Sequence, residues 1–207
     1  MSFDGPLTTA RPSFGDAFQR PHVRVGLAGM VSGQVVMVLI MIATPLHIRH
    51  AGFDLGIVGM VMSAHTLGMF AFSPVTGRLA DRFGRYPIVL AGLVLLGISA
   101  VVAAAAPANA TPLLVIALFL LGLGWNLGFV AGSALLTVGF SPELRGRLQG
   151  RADTITWLSG AVASILSGMV FELTGYRALA LVGLALLAIP AVIITRHRQD
   201  LAVAPVA

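Results

Sequence analysis

Six apolar runs punctuate the chain at 25–46, 55–76, 87–106, 112–138, 154–171 and 178–195. Each is close to the roughly 20 residues that a helix needs to cross a bilayer. As bounded, none contains Asp, Glu or Arg. The runs do not alternate apolar and polar positions over about ten residues, so barrel strands are excluded. Short connections marked by Gly and Pro separate them, as in the uncharged turn "PANATP" at 107–112. The pattern predicts six transmembrane helices.

Composition agrees. The chain is 57% hydrophobic and only 10% charged, against roughly 25% charged in a soluble domain. Its 24 glycines suit membrane helices. With no cysteine, disulfides and thiol chemistry are excluded. The polar stretch 1–20 has no apolar h-region and is not read as a cleaved signal peptide. The formal charge of +5 would suit a nucleic-acid partner, but the placement of Arg explains it better. Arg11, Arg20 and Arg24, then Arg78, Arg82 and Arg85, then Arg145, Arg147 and Arg151, then Arg196 and Arg198 fall on one side of a six-span topology. Arg49 and Arg177 fall on the other. The positive-inside bias assigns the richer side, with both termini, to the cytoplasm.

The most charged stretch is "GRLADRFGR", Gly77 to Arg85, expected as a turn between the second and third spans with Gly77 and Gly84 allowing it to be tight. Arg alone would anchor orientation. The acidic Asp81 calls for a specific partner, and one candidate is the positive N-terminal end of a nearby helix. "GRLADRFGRYPIV" resembles the signature loop of the major facilitator superfamily, with Gly77, Leu79, Asp81, Arg82, Gly84 and Arg85 in place. "SPELRGRLQGR" resembles the Arg- and Gly-rich entry to the fifth helix of a half. "FELTGYRALALVG" is similar to the run into the last helix, and "SAHTLGMFAFSPVTGRLADR" to helix 8 of a bacterial efflux permease. The resemblance covers nearly the whole chain but only half of a twelve-helix transporter, the C-terminal half. It implies an all-α fold with a 3+3 inverted repeat. Residues 1–22 then read as a linker-like cytoplasmic segment, 23–197 as the six-helix bundle and 198–207 as a cytoplasmic tail. A bacterial inner membrane is the expected location.

Candidate site residues follow from the helical period. On the fourth span Gly124, Gly128 and Gly132 form a close-packing stripe, while Asn126, Ser133 and Thr137 share another face beside Trp125. A polar stripe in lipid must face protein or a water-filled cavity. The resemblance implies that the first and fourth helices line the path, which favours the cavity over interhelical bonding. The first span puts Met30, Gln34, Met37 and Met41 on one face, suited to an adaptable apolar wall or to packing. The second puts Met62, His65, Met69 and Phe72 together, with His65 mid-span, either neutral and bonded to a neighbouring helix or functional. Gly160, Ser164 and Gly168 mark the fifth span as a packing helix, plausible at an interface between halves. Asp153, with Arg147 and Arg151, is too shallow for a midplane proton site and belongs with the gate charges, Asp81 and Arg82 among them. The resemblance implies that Asp81 meets the fifth-helix entry of the opposite half.

The expected function is alternating-access transport of a small neutral or amphipathic compound, by resemblance proton-coupled efflux. Its partner is a second six-helix half, either another copy or a separate N-terminal half. No cofactor or metal is expected. Alternatives are a non-transporting fragment or split-gene half and, remotely, an intramembrane enzyme. Against the enzyme, "AGSAL" offers Ser133 without the second Gly of a rhomboid motif, and the sixth span has no His.

Overall fold

The structure, a computed structural model, describes residues 14–197. Arg11, Arg198, the rest of 1–13 and the tail 198–207 lie outside the described residues, and so do the assignments made for them. Among the described residues the regular elements are all helices: α1 Phe14–Gln19, α2 Pro21–His50, α3 Leu55–Phe70, α4 Ser73–Phe83, α5 Arg85–Ala105, α6 Thr111–Leu136, α7 Pro142–Leu186 and α8 Ala188–Arg196. Their starts are written in the sequence. Proline opens α2, α4, α6 and α7, where a missing N–H costs nothing. Asp54 caps α3 by accepting from the Gly56 N–H at 2.8 Å.

Among the described residues five continuous stretches are long and apolar enough to span a membrane, and the last, Pro142–Arg196, has 55 residues. A straight helix of that length would run about 80 Å, far beyond a core of roughly 30 Å. Gly175 breaks it, with φ 78° and ψ 173°, a backbone that favours glycine. The two legs run in opposite directions along α2. Before the break, Gly160 lies on Gln34, Ser167 bonds the Leu39 carbonyl and Phe171 meets His50. After it, Tyr176 bonds Thr44 and Gly183 rests on Ile40 and Val36. The fold is therefore six spans: α2, α3 with α4, α5, α6, the first leg of α7, and its second leg with α8.

The ends sort onto two sides. At one, the Arg20 guanidinium lies 4.7 Å from the Phe140 ring centre and His22 lies 5.8 Å from it. That side also holds Arg85 and Arg145, which border one cavity. At the other, His47 stacks on Tyr176 at 4.3 Å and His50 approaches Phe171 at 5.3 Å. The first is the arginine-rich side.

Two expectations change. The charged motif is mostly helix, not turn: α4 runs through Gly77 to Phe83, and only Gly84, at φ 91°, reverses the chain. Ser73 and Pro74 restart a helix, and one glycine suffices for the corner. Arg145, Arg147, Arg151 and Asp153 likewise lie on α7 rather than in a connection, because Pro142 begins the helix well before the apolar run. Preceding the first span, α1 lies within the linker-like segment and buries Ala17 in a cluster with Val23, Leu136, Phe140 and Leu148.

Lipid tails are as apolar as leucine, so close backbone packing and interhelical hydrogen bonds must hold the bundle. Helix α6 is the hub. A methyl at Gly26 of α2 would stand 2.6 Å from the Gly132 carbonyl oxygen. One at Gly92 of α5 would stand 2.7 Å from the Gly128 nitrogen. Gly122 faces the His65 carbonyl of α3, and Gly68 faces that of Phe119. The predicted stripe of Gly124, Gly128 and Gly132 thus divides between two neighbours, and Gly122 serves a third.

Candidate functional site

The second span breaks between Phe70 and Ser73. Pro74 has no N–H to return to the turn before it, so carbonyl oxygens there are left without helical donors. Asn126 of α6 fills the gap. Its Nδ2 donates to the Met69 carbonyl at 2.6 Å and to Ser73 Oγ at 2.7 Å, while its Oδ1 accepts from Thr76 Oγ1 at 2.5 Å. Asn126 and Thr76 are buried. This amide is saturated by one neighbouring span and holds the discontinuity together.

In the residue just before it, Trp125, Nε1 donates to Gln34 Oε1 at 2.8 Å, and both residues are buried. Gly160 lets the first leg of α7 approach, since a methyl there would lie 2.7 Å from Gln34 Nε2. Gln34 therefore sits where α2, α6 and α7 meet. The Trp125 ring stacks on Phe129 at 4.9 Å and takes Phe70 edge-on at 6.2 Å. Phe129 is half-buried and Phe70 exposed. Phe70 in turn lines an open hollow of about 690 Å³ on α3, with Met62, Ser63 and Thr66.

The methionines divide. Met30 and Met37 are buried in the core, while Met41 and Met69 are half-buried against it. His65 is buried, its Nδ1 2.9 Å from the Leu118 carbonyl, with Nε2 lacking a partner. The tautomer that donates from Nδ1 fits this contact. Ser133 does not share a partner with Asn126. Its hydroxyl donates to Gln149 Oε1 at 2.9 Å, and Gln149 Nε2 donates to Asp153 at 2.8 Å. Thr137 turns back to its own helix, 3.3 Å from the Ser133 and Ala134 carbonyls. Of the fifth-span stripe, Gly160 packs within the bundle and Gly168 faces open space. Asp81 is exposed near the end of α4 and accepts no hydrogen bond among the described residues. Arg82 lies over the Phe83 ring at 5.2 Å. Among the described residues no group of three or more His, Asp or Glu side chains is placed to hold a metal ion.

Several partners escaped the sequence reading. Ser73 and Thr76 lie in a segment marked only by Pro74. Gln149 was signalled by its i, i+4 spacing to Asp153. Thr44, bonded to the Tyr176 hydroxyl at 2.8 Å, and Ser167, bonded to the Leu39 carbonyl at 2.7 Å, carry no spacing signal because their partners are distant in sequence.

Comparison with known proteins places this geometry in a family. The family model described as Major Facilitator Superfamily matches residues 25–204. The chain is 46% identical over 176 residues to the uncharacterized MFS-type transporter YdeG of Bacillus subtilis, covering 84% of this chain and 41% of that protein. It is 42% identical over 179 residues to the uncharacterized MFS-type transporter YddS of the same organism, covering 86% of this chain and 41% of YddS. It is also 32% identical over 169 residues to the riboflavin transporter RfnT of Brucella anthropi, with 82% of this chain and 42% of that protein covered. The chain spans about two-fifths of the length of these relatives.

Proposed function

The chain belongs to the major facilitator superfamily, a family of transporters rather than enzymes, and we propose that it forms one wall of an alternating-access path for a small neutral or amphipathic compound. The observation that carries this reading is the aromatic run Phe129–Trp125–Phe70, which leads from the α2–α6–α7 junction to the open hollow on α3. Rings with a few hydroxyls and no charge suit an apolar or planar solute. Similarity to a protein named as a riboflavin transporter agrees with that chemistry. In this reading Phe70 and Phe129 touch the substrate. Trp125 stands behind them, held by Gln34, with Met41 and Met69 beside the path and Met37 in support. Asn126 keeps the break in the second span in shape.

A single six-helix bundle supplies one wall, and alternating access needs a second bundle rocking against it. The second half completes the path, as another copy or as a separate N-terminal half. The arginine-rich side faces the cytoplasm of a bacterial inner membrane. Asp81, exposed on α4, meets the fifth-helix entry of the opposite half near Arg147 and Arg151 when that side closes. Described carboxylates all lie outside the six apolar runs, so any proton coupling by this half falls to His65, and the direction is efflux.

The test is co-expression with an N-terminal six-helix half, or with a second tagged copy, followed by measurement of cellular riboflavin and of a neutral amphipathic dye. Lower accumulation, restored by Phe70→Ala and by Trp125→Ala with the protein still in the membrane, is the expected result. Full efflux by both variants would overturn the aromatic wall. No efflux with either partner leaves the alternative that the chain is a non-transporting portion of a longer carrier.

A further inference from the structure

On the arginine-rich side, the start of α5, the end of α6 with the connection after it, and the first turn of α7 line a half-open cavity of about 240 Å³ bordered by Arg85, Ala134, Thr137, Val138, Gly139 and Arg145, the last of them exposed. We propose that this cavity binds a phosphate-bearing anion.

Two arginines from different helices line one small space. Arg145 is fixed by its Nε, which donates to the Phe140 carbonyl at 2.7 Å and leaves its terminal nitrogens for another acceptor. Arg85 is half-buried and has no acceptor among the described residues. No carboxylate lies within ion-pair reach of either among the described residues. Cations that share one space repel unless an anion lies between them, and planar guanidiniums match phosphate oxygens in pairs. Thr137 adds a hydroxyl whose two present contacts, both at 3.3 Å, are weak enough to exchange. Topology anchoring explains arginine on this side. It does not explain two arginines from separate elements converging on one cavity with no counter-charge.

The anion could come from two sources, a phospholipid head group in the adjoining leaflet or a dissolved phosphate, and the chemistry in the cavity is shared. Two arms separate them. First, the chain is released from nanodiscs of equal phosphatidylglycerol and phosphatidylcholine and weighed intact. The expected result is one phosphatidylglycerol retained in preference, with retention falling about a hundredfold when Arg85→Gln and Arg145→Gln are combined, since each charged hydrogen bond lost is worth about tenfold or more. The double change to Lys keeps part of the preference, which separates lost binding from lost folding. Second, inorganic phosphate is titrated in purely zwitterionic nanodiscs while thermal unfolding is followed. A rise present in the wild type and absent in the double Gln variant assigns the site to dissolved phosphate. Equal retention of both lipids with no phosphate response overturns the proposal. So does a preference that survives the double Gln change, or one that Arg78→Gln, on the exposed face of α4, abolishes equally.

Discussion

Helices α3 and α6 are neighbours, both strongly apolar, and they are used in opposite ways. Helix α6 is buried on three sides, against α2, α5 and α3. Helix α3 buries only Val61, His65 and Gly68 and presents Met60, Leu67 and Phe70 outward. Apolar content cannot tell them apart, because lipid and protein interior are equally apolar environments. The difference lies in glycines that admit a neighbour's backbone and in polar side chains that can be satisfied only across a helix contact.

The sharpest way to break that comparison is to close the crossing itself. Gly122 of α6 faces the His65 carbonyl oxygen and the Met69 nitrogen, the latter 2.9 Å from where a methyl would sit. Backbone atoms cannot rotate aside, unlike the end of a side chain. Overpacking costs about 1–3 kcal/mol where side chains can adjust. Gly122→Leu should therefore cost about 3 kcal/mol or more, read as a lower midpoint on detergent-induced unfolding in bicelles. A change under 1 kcal/mol would mean that the α3–α6 contact is loose and that α6 is no hub.

Asn126 comes next, and its effect tests the polar half of the comparison. Asn126→Leu leaves Thr76, Ser73 and the Met69 carbonyl without their partner. Interhelical hydrogen bonds in bilayers average about 0.6 kcal/mol and reach about 1.7, while an orphaned buried group costs about 1–3. A loss of about 2 kcal/mol is expected, with exchange protection falling first in the segment after Phe70. If protection there is unchanged, Asn126 does not hold the break, and its amide is free for solute.

How far the sequence could be read follows the same division. The spans, their number and the uniform direction of the arginine bias come from composition along the chain, and the bundle has them where the apolar runs lie. The glycine stripe was legible because a period of four residues is geometric. Its partners were not, because Gly26 and Gly92 lie in other helices and nothing local pairs them with Gly132 and Gly128. The same limit hid the break in the second span. Pro74 was visible, but the side chain that repairs the gap comes from a residue 53 positions beyond Ser73. At the far end, Tyr176 seats the α7 turn on Thr44 and His47, and only the fold brings those three together.

The smallest expected effect on the chain itself is at its uncovered face, and it sharpens the comparison most. The first leg of α7 shows Leu158, Ile165, Met169 and Leu173 outward, and a methyl at Gly168 would meet nothing within 4 Å. Surface substitutions away from packed features usually fall within about 0.5 kcal/mol, and a lipid-facing leucine loses nothing by having more lipid around it. Gly168→Leu and Ile165→Ala should thus leave the unfolding midpoint of the isolated chain unmoved, in contrast with Gly122→Leu. The fifth span is the one expected at an interface between halves, and if a second bundle rests on this face and on α3, the same variants should weaken capture of a tagged second half from mixed nanodiscs. Small-residue contacts depend on backbone approach, and leucine at 168 would hold the helices apart. Stability unchanged with capture lost separates a face that waits for protein from one made for lipid. Stability and capture both unchanged would place the second half elsewhere on the bundle, and α3 and α7 would then be lipid-facing helices.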